Sequence, residues 1–144
     1  MFPLQPKGWS FHKTDYMKMA HILNILVPIL ISYNYNKNMR VPSYNELSEL
    51  LNNTNSKWIV NYENSGVNGR LLTSKKNGQS IFLPAVGGVV GTEVSGFNSY
   101  GYILSNTLKS DNKNIWDVYF GANALAIGNI SRCYGLSIRG VSDN

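Results

Sequence analysis

Asp117, Glu46, Glu49, Cys133, His12 and His21 are the first side chains to test for chemistry, and their spacing gives none of them a partner. Catalysis needs a nucleophile beside a base, paired carboxylates or a bound metal. Glu46 and Glu49 fall in a helical pattern that caps and solvates them. Asp117 lies inside a strand pattern, as a buried acceptor or an exposed contact. Cys133 follows Arg132, and a neighbouring cation favours thiolate. Strand alternation nevertheless sets it opposite Tyr134, Leu136 and Ile138, and the expectation is a buried, inert thiol. His12 and His21, nine positions apart, make neither a ligand pair nor a dyad. One cysteine and two histidines exclude an intrachain disulfide and do not assemble a Cys/His zinc set. The expectation is a protein without catalytic residues, metal or cofactor.

Binding chemistry is better represented, all of it in the C-terminal half. Asn98, Tyr100 and Tyr102 lead into one strand pattern, Asn112, Asn114 and Trp116 into the next, and Asn123, Asn129, Arg132 and Tyr134 approach the last. Tyr and Trp offer broad contact area at small entropic cost, while Asn and Ser supply adaptable hydrogen bonds, the composition of loop-built recognition surfaces. The same composition also describes loops that merely connect strands. These ten residues form the candidate ligand-binding set.

The elements that must position them follow from pattern. Ser43 followed by Glu46 is a capping box, and Leu47, Leu50 and Leu51 repeat at helical spacing, which predicts a helix from about Tyr44 to Asn52. Strands are predicted at 58–62 and 71–74. Asn77-Gly78 fits a type I′ turn into a further strand at Ile81 to Leu83. Residues 84–101, with Gly87, Gly88, Gly91 and Gly96, read as a long structured loop. It does not cradle phosphate, because Val86 stands at the first glycine position of G-x-G-x-x-G and no helix pattern follows. Three strands close the chain, at 102–107, 115–120 and 133–139. In the second, Trp116, Val118 and Phe120 share one face. The fold class expected is α+β: one or two helices with a mainly antiparallel sheet and long structured loops.

Composition bounds the remaining possibilities. At 144 residues, 43% hydrophobic and 15% charged, the chain is sized for one folded core. Its net charge of +5 is spread from Lys7 to Arg139, with only Lys75 and Lys76 adjacent, whereas a nucleic-acid binder gathers its cations into a stripe. Residues 1–38 differ from the rest in character. Ala20–Ile31 is apolar but short of the roughly 20 residues of a membrane span, and Pro28 interrupts it. It reads as a buried helix or strand, or, with initiation at Met17, as the apolar part of a secretory signal.

Motif order adds a further expectation. MRVPSYNEL (39–47), SGVNGRLLTSKKNGQSIFLPAVG (65–87), SYGYILSNT (99–107), WDVYF (116–120) and RCYGLSIRGV (132–141) occur in one series. That series resembles the Fibrobacter succinogenes major paralogous domain family, common in gut Bacteroidetes, over residues 39–144. The resemblance implies a C-type-lectin-like fold and a non-catalytic ligand-binding or adhesion domain of a secreted, cell-surface or phage-encoded protein. The ligand would be a protein or glycan on a cell surface. It also raises two variants: a structural subunit of a pilus or phage tail, and the variable target of a diversity-generating retroelement. Departures are Leu104 where the family has Trp, Ser43 for Thr and Gly140 for Pro. The family's N-terminal strand has no counterpart before Met39, a place that Phe2 to Phe11 would have to fill. The calcium-dependent sugar motifs of animal C-type lectins are absent.

Overall fold

The computed structural model describes residues 39–142. The N-terminal readings, the apolar run at 20–31 and the segment Phe2 to Phe11, lie outside them. Within these residues the fold is α+β, with every strand pairing antiparallel.

Local chemistry starts the helix where the sequence predicts it. α1 spans Tyr44–Asn52. The Glu46 amide donates to Ser43 Oγ at 3.3 Å, while the Glu46 carboxylate accepts the Ser43 backbone N–H at 2.8 Å. Both satisfy donors that a helix start leaves without partners. The same carboxylate takes a bidentate pair from Arg40, at 2.7 and 2.8 Å. These contacts, the Arg40 hydrogen bonds first, outweigh partial burial and hold the Glu46 carboxyl down at about 2. A depressed carboxyl stabilises the fold above its unfolded value of 4.5, and that contribution is lost as pH falls through about 2. Solvent reaches both side chains, which are 40% and 36% exposed, so the net effect is modest. Glu46→Gln is expected to lower the unfolding free energy by about 1 kcal/mol at pH 7. In urea titrations the deficit should shrink between pH 4.5 and 2.

Two three-stranded sheets enclose the core. β2 (Thr54–Ile59), β3 (Gly69–Ser74) and β4 (Ser80–Pro84) form one. The other comprises β7 (Tyr100–Leu108), β8 (Asn114–Gly121) and β9 (Leu125–Ser131). Leu47 of α1, Leu72, Leu83, Ala85, Ile103, Val118 and Phe120 meet between them, each at most 6% exposed. Two short ribbons complete the order. β5 (Gly88–Val90) pairs with β6 (Glu93–Ser95), and β1 (Met39–Arg40) with β10 (Val141–Ser142).

Four sequence expectations need correction. The first strand begins at Thr54, inside the polar run, and stops at Ile59, leaving Val60 68% exposed. The β3–β4 connection is a four-residue loop rather than a type I′ turn. Gly78 alone takes positive φ, at +71°, and its N–H bonds back to the Ser74 carbonyl. Residues 84–101 contain the β5–β6 hairpin, turned at Gly91 with φ +62°, the geometry of a II′ turn. Residues 133–139 form no strand. Gly135 bridges Val89, and the Ser137 carbonyl accepts the Leu104 N–H, single contacts in place of a ladder. The third strand of that sheet is β9, where Gly128 and Asn129 interrupt the apolar alternation that would have announced it.

A bulge in β7 sets the geometry of the second sheet. Leu104 faces Asp117 and Leu108 faces Ile115, so three residues of β7 oppose Trp116 alone. Ser105, 1% exposed, fills the gap by donating from Oγ to the Trp116 carbonyl at 2.7 Å. The displaced residues reach the helix start: the Asn106 N–H meets the Pro42 carbonyl, and the Tyr44 N–H meets Thr107 Oγ1.

Candidate functional site

Strand alternation divides the β7–β8–β9 sheet into two faces. Ile103, Val118, Phe120, Leu125 and Ile127 belong to the core side. Register places Tyr100, Tyr102 and Leu104 of β7, Tyr119, Asp117 and Ile115 of β8, and Ala126, Gly128 and Ile130 of β9 on the other. Three of its tyrosines touch. The Tyr102 and Tyr119 rings lie 5.3 Å apart, and Tyr100 lies 5.8 Å from Tyr102 and 6.1 Å from Tyr119, all inclined. Beyond β9 the chain returns across the sheet to the free edge of β7, and this brings Tyr134 close enough to act electrostatically on Tyr102. Burial, and then the neighbouring Tyr100, Tyr119, Asp117 and Tyr134, push the Tyr102 phenol up.

Asp117 occupies the centre of this face. It is 2% exposed, and its Oδ1 has no hydrogen-bond partner. Leu104 flanks it on β7 and Gly128 on β9. Burial raises the carboxyl to about 6, against a smaller lowering by its own backbone N–H. A buried carboxylate with an idle oxygen is costly to a fold, and groups of this kind concentrate at functional sites.

The ten candidate residues do not make one surface. Tyr100, Tyr102 and Tyr134 join the aromatic face. Asn98, beside it, is internally engaged: its Oδ1 accepts the Asn68 N–H at 2.8 Å and its Nδ2 donates to the Gly66 carbonyl at 2.8 Å. Trp116 points the other way, against Tyr44 at 5.0 Å, with Lys109 Nζ over its ring at 6.0 Å. Asn129, its cross-strand partner, accepts from that same Lys109 at 3.3 Å. Asn112 and Asn114 build the β7–β8 turn. Asp111 binds the Lys113 and Asn114 N–H groups and the Asn114 amide, and Arg132 donates to the Asn112 carbonyl at 3.3 Å. Asn123 sits at the opposite end, in the β8–β9 turn, beside carbonyls of Gly121, Ala122 and Ala124 that Arg70 gathers. The eight residues of β8, at about 3.3 Å each, set the two turns some 25 Å apart.

Sequence reasoning missed Tyr119 as a binding residue, and read Asp117 as a buried acceptor or an exposed contact without placing it beside the tyrosines. The signal for both was present in WDVYF, since assigning Trp116, Val118 and Phe120 to one face sends Asp117 and Tyr119 to the other. Cys133 corrects a further expectation: the thiol is exposed, 3.2 Å from Ser131 Oγ, because no strand carries it into the interior. The acidic and thiol groups are engaged separately, Glu46 in the helix cap, Cys133 with Ser131 and Asp117 under the tyrosines. The cavity between α1 and the sheets measures about 20 Å³, is lined by side chains such as Leu47, Ile81, Leu83 and Val118, and has room for one water.

Among the described residues no cluster of His, Cys, Asp and Glu is arranged to hold a metal, and no helix is long and apolar enough to cross a membrane. No family model, curated protein or solved structure matches the chain.

Proposed function

We infer that the chain is a non-catalytic ligand-binding or adhesion domain of a secreted, cell-surface or phage-encoded protein, with a C-type-lectin-like fold of the major paralogous type. The observation that carries this reading is the face of the β7–β8–β9 sheet opposite the core cluster, where Tyr100, Tyr102 and Tyr119 pack together to one side of the buried Asp117, with Tyr134 near Tyr102. Three features support the fold assignment: a helix packed on antiparallel sheets, a long connection at 60–68 between β2 and β3, and the pairing of the first and last described strands, β1 and β10. The binding surface is narrower than the ten candidates, and centres on Tyr100, Tyr102, Tyr119 and Tyr134.

Labelled protein applied to gut bacterial cells and to glycan arrays tests the reading. Wild type is expected to bind a subset of cells or glycans. The combined variant Tyr102→Ala, Tyr119→Ala, Tyr134→Ala should lose at least about tenfold in affinity, the scale of one aromatic hot spot. Equal binding by a variant that still melts cooperatively would remove this face as the site.

A further inference from the structure

β2, β4, β7 and β9 border the two three-stranded sheets, and the first three carry devices that discourage a further strand. On β7 the Tyr100 carbonyl accepts the Gly87 N–H, the Leu104 N–H donates to the Ser137 carbonyl and the Asn106 N–H to the Pro42 carbonyl. β4 ends in Pro84, and Arg139 donates to its Phe82 carbonyl at 3.1 Å. β2 holds Lys57, a charge of the kind that keeps edges apart.

β9 has none of these. Leu125–Ser131 contains no charged residue and no proline, and it follows β8 through seven successive pairs without a bulge. The ladder is anchored at both ends, where the Gly121 N–H bonds the Ala124 carbonyl and the Arg132 N–H bonds the Lys113 carbonyl. By alternation Ala126, Gly128 and Ile130 turn their backbone groups to β8, and Leu125, Ile127 and Asn129 turn theirs outward. Among the described residues no group pairs with these three N–H and three C=O groups. Leu125 and Ile127 belong to the core side yet stay partly exposed, and Asn129 is exposed, so a strand alongside would complete their cover.

We propose that this edge is an interface with a second copy of the chain, the two β9 strands running antiparallel about a two-fold axis at Ile127. In that register Ile127 meets Ile127 of the partner subunit, and Leu125 meets Asn129 of the partner subunit. All the outward groups then pair, in about six hydrogen bonds. No like charges come opposite, because the strand has none. A strand already held in a fold also avoids the ordering entropy that a free peptide would lose on adding to the edge. On the opposite face Ala126 meets Gly128 of the partner subunit, so only small residues separate the two tyrosine clusters. Both clusters point the same way, with the two β8 strands three spacings apart, about 14 Å. The pairing stands without the tyrosine face being a binding surface; the doubled site rests on that reading.

Sedimentation of the full chain over a dilution series tests the pairing. Wild type is expected to pass from monomer to dimer and stop there, because the two-fold arrangement uses both edges. Asn129→Pro removes an outward N–H at an edge position where proline is compatible with a strand, and should stay monomeric while still melting cooperatively. Asn129→Ala changes only the side chain and should dimerise as wild type does. In a Cys133→Ser background, Ile127→Cys should cross-link to itself on oxidation, since a hydrogen-bonded pair sets its Cα atoms about 5.5 Å apart. Leu125→Cys, about 13 Å from its counterpart, should not. A wild type that is monomeric at millimolar concentration, or a dimer that Asn129→Pro leaves intact, would overturn the proposal. If monomers show the Leu125, Ile127 and Asn129 amides protected from exchange, another strand fills the edge and the second copy is excluded. Cell binding separates the two readings. Asn129→Pro should hold cells at least about tenfold more weakly than wild type through lost avidity, whereas the triple tyrosine variant should dimerise and not bind. A dimer that binds no cells leaves the pairing standing and removes the tyrosine reading.

Discussion

Asp117→Asn is expected to stabilise the protein by about 2 kcal/mol at pH 8 and to leave its stability almost unchanged at pH 4. The sign follows from the direction in which the carboxyl is displaced. Its value is about 6 in the folded chain against 3.8 for the free side chain, because burial disfavours the ionised form. Between those values the folded state binds more protons than the unfolded state, so stability falls as pH rises. The favourable contribution is complete below 3.8 and is lost as pH passes 6. The gap between the folded and free carboxyl corresponds to about 3 kcal/mol, and the asparagine amide, which brings two donors of its own into a buried place, returns part of that. Urea unfolding at pH 4, 6 and 8 reads the difference directly. A variant less stable than wild type at pH 8, or a gap that does not vary with pH, would show that Asp117 is not a carboxylate held against its solvation.

Gly101→Ala should produce a still larger change, a loss of about 3 kcal/mol. Gly101 is buried, belongs to the core side of β7 and pairs across the sheet with Phe120, which is fully buried. A Cβ at residue 101 would overlap the Phe120 ring, with ring carbons Cε2 and Cε1 at 2.8 and 3.1 Å. The ring has nowhere to move, since it also packs in the cluster with Leu47, Leu83 and Val118. Phe120→Leu alone removes volume and should cost about 1.5 kcal/mol. The two changes occupy the same space, so the double variant should lose at least about 1 kcal/mol less than the sum of the single effects. Additive losses in a four-way denaturation cycle would place the Gly101 effect in the backbone rather than against the ring.

What the sequence revealed, and what it hid, follows from the distance over which each feature is determined. Ser43 and Glu46 are three residues apart and satisfy each other, so the helix could be read from a single turn of chain. The strands at 71–74, 81–83 and 115–120 were legible for the same reason, through alternation within one segment. The tyrosine face was not. Tyr102 meets Tyr119 only because β7 and β8 pair in one register, and that register depends on the bulge at 105–107, which no alternation announces. β9 escaped notice because Gly128 and Asn129 weaken its pattern. Gly128 is also the cross-strand neighbour of Asp117, where a Cβ would press on the Asp117 carboxylate at 3.2 Å, so the residue that concealed the strand is the one that leaves room for the buried acid. The aromatic and amide residues of 98–134 were visible as a group. Their division between a tyrosine face, a Trp116–Lys109 contact and two distant turns is a property of the folded sheet.

The pairing of β1 with β10 carries a mechanical consequence. Met39 stands opposite Ser142 and Arg40 opposite Val141, so a pull applied at Met39 and Ser142 acts across the strands rather than along them. Hydrogen bonds loaded in that direction break one after another, as a zipper opens, instead of sharing the force. A two-residue ribbon would peel early under tension, and the load would then fall on Val41, Pro42 and the Arg40–Glu46 pair at the start of α1. Tyr100, Tyr102 and Tyr119 lie on β7 and β8, away from that first contact, whereas Tyr134 sits in the segment that leads into β10, so a peeled ribbon would pass its load to that corner of the face next.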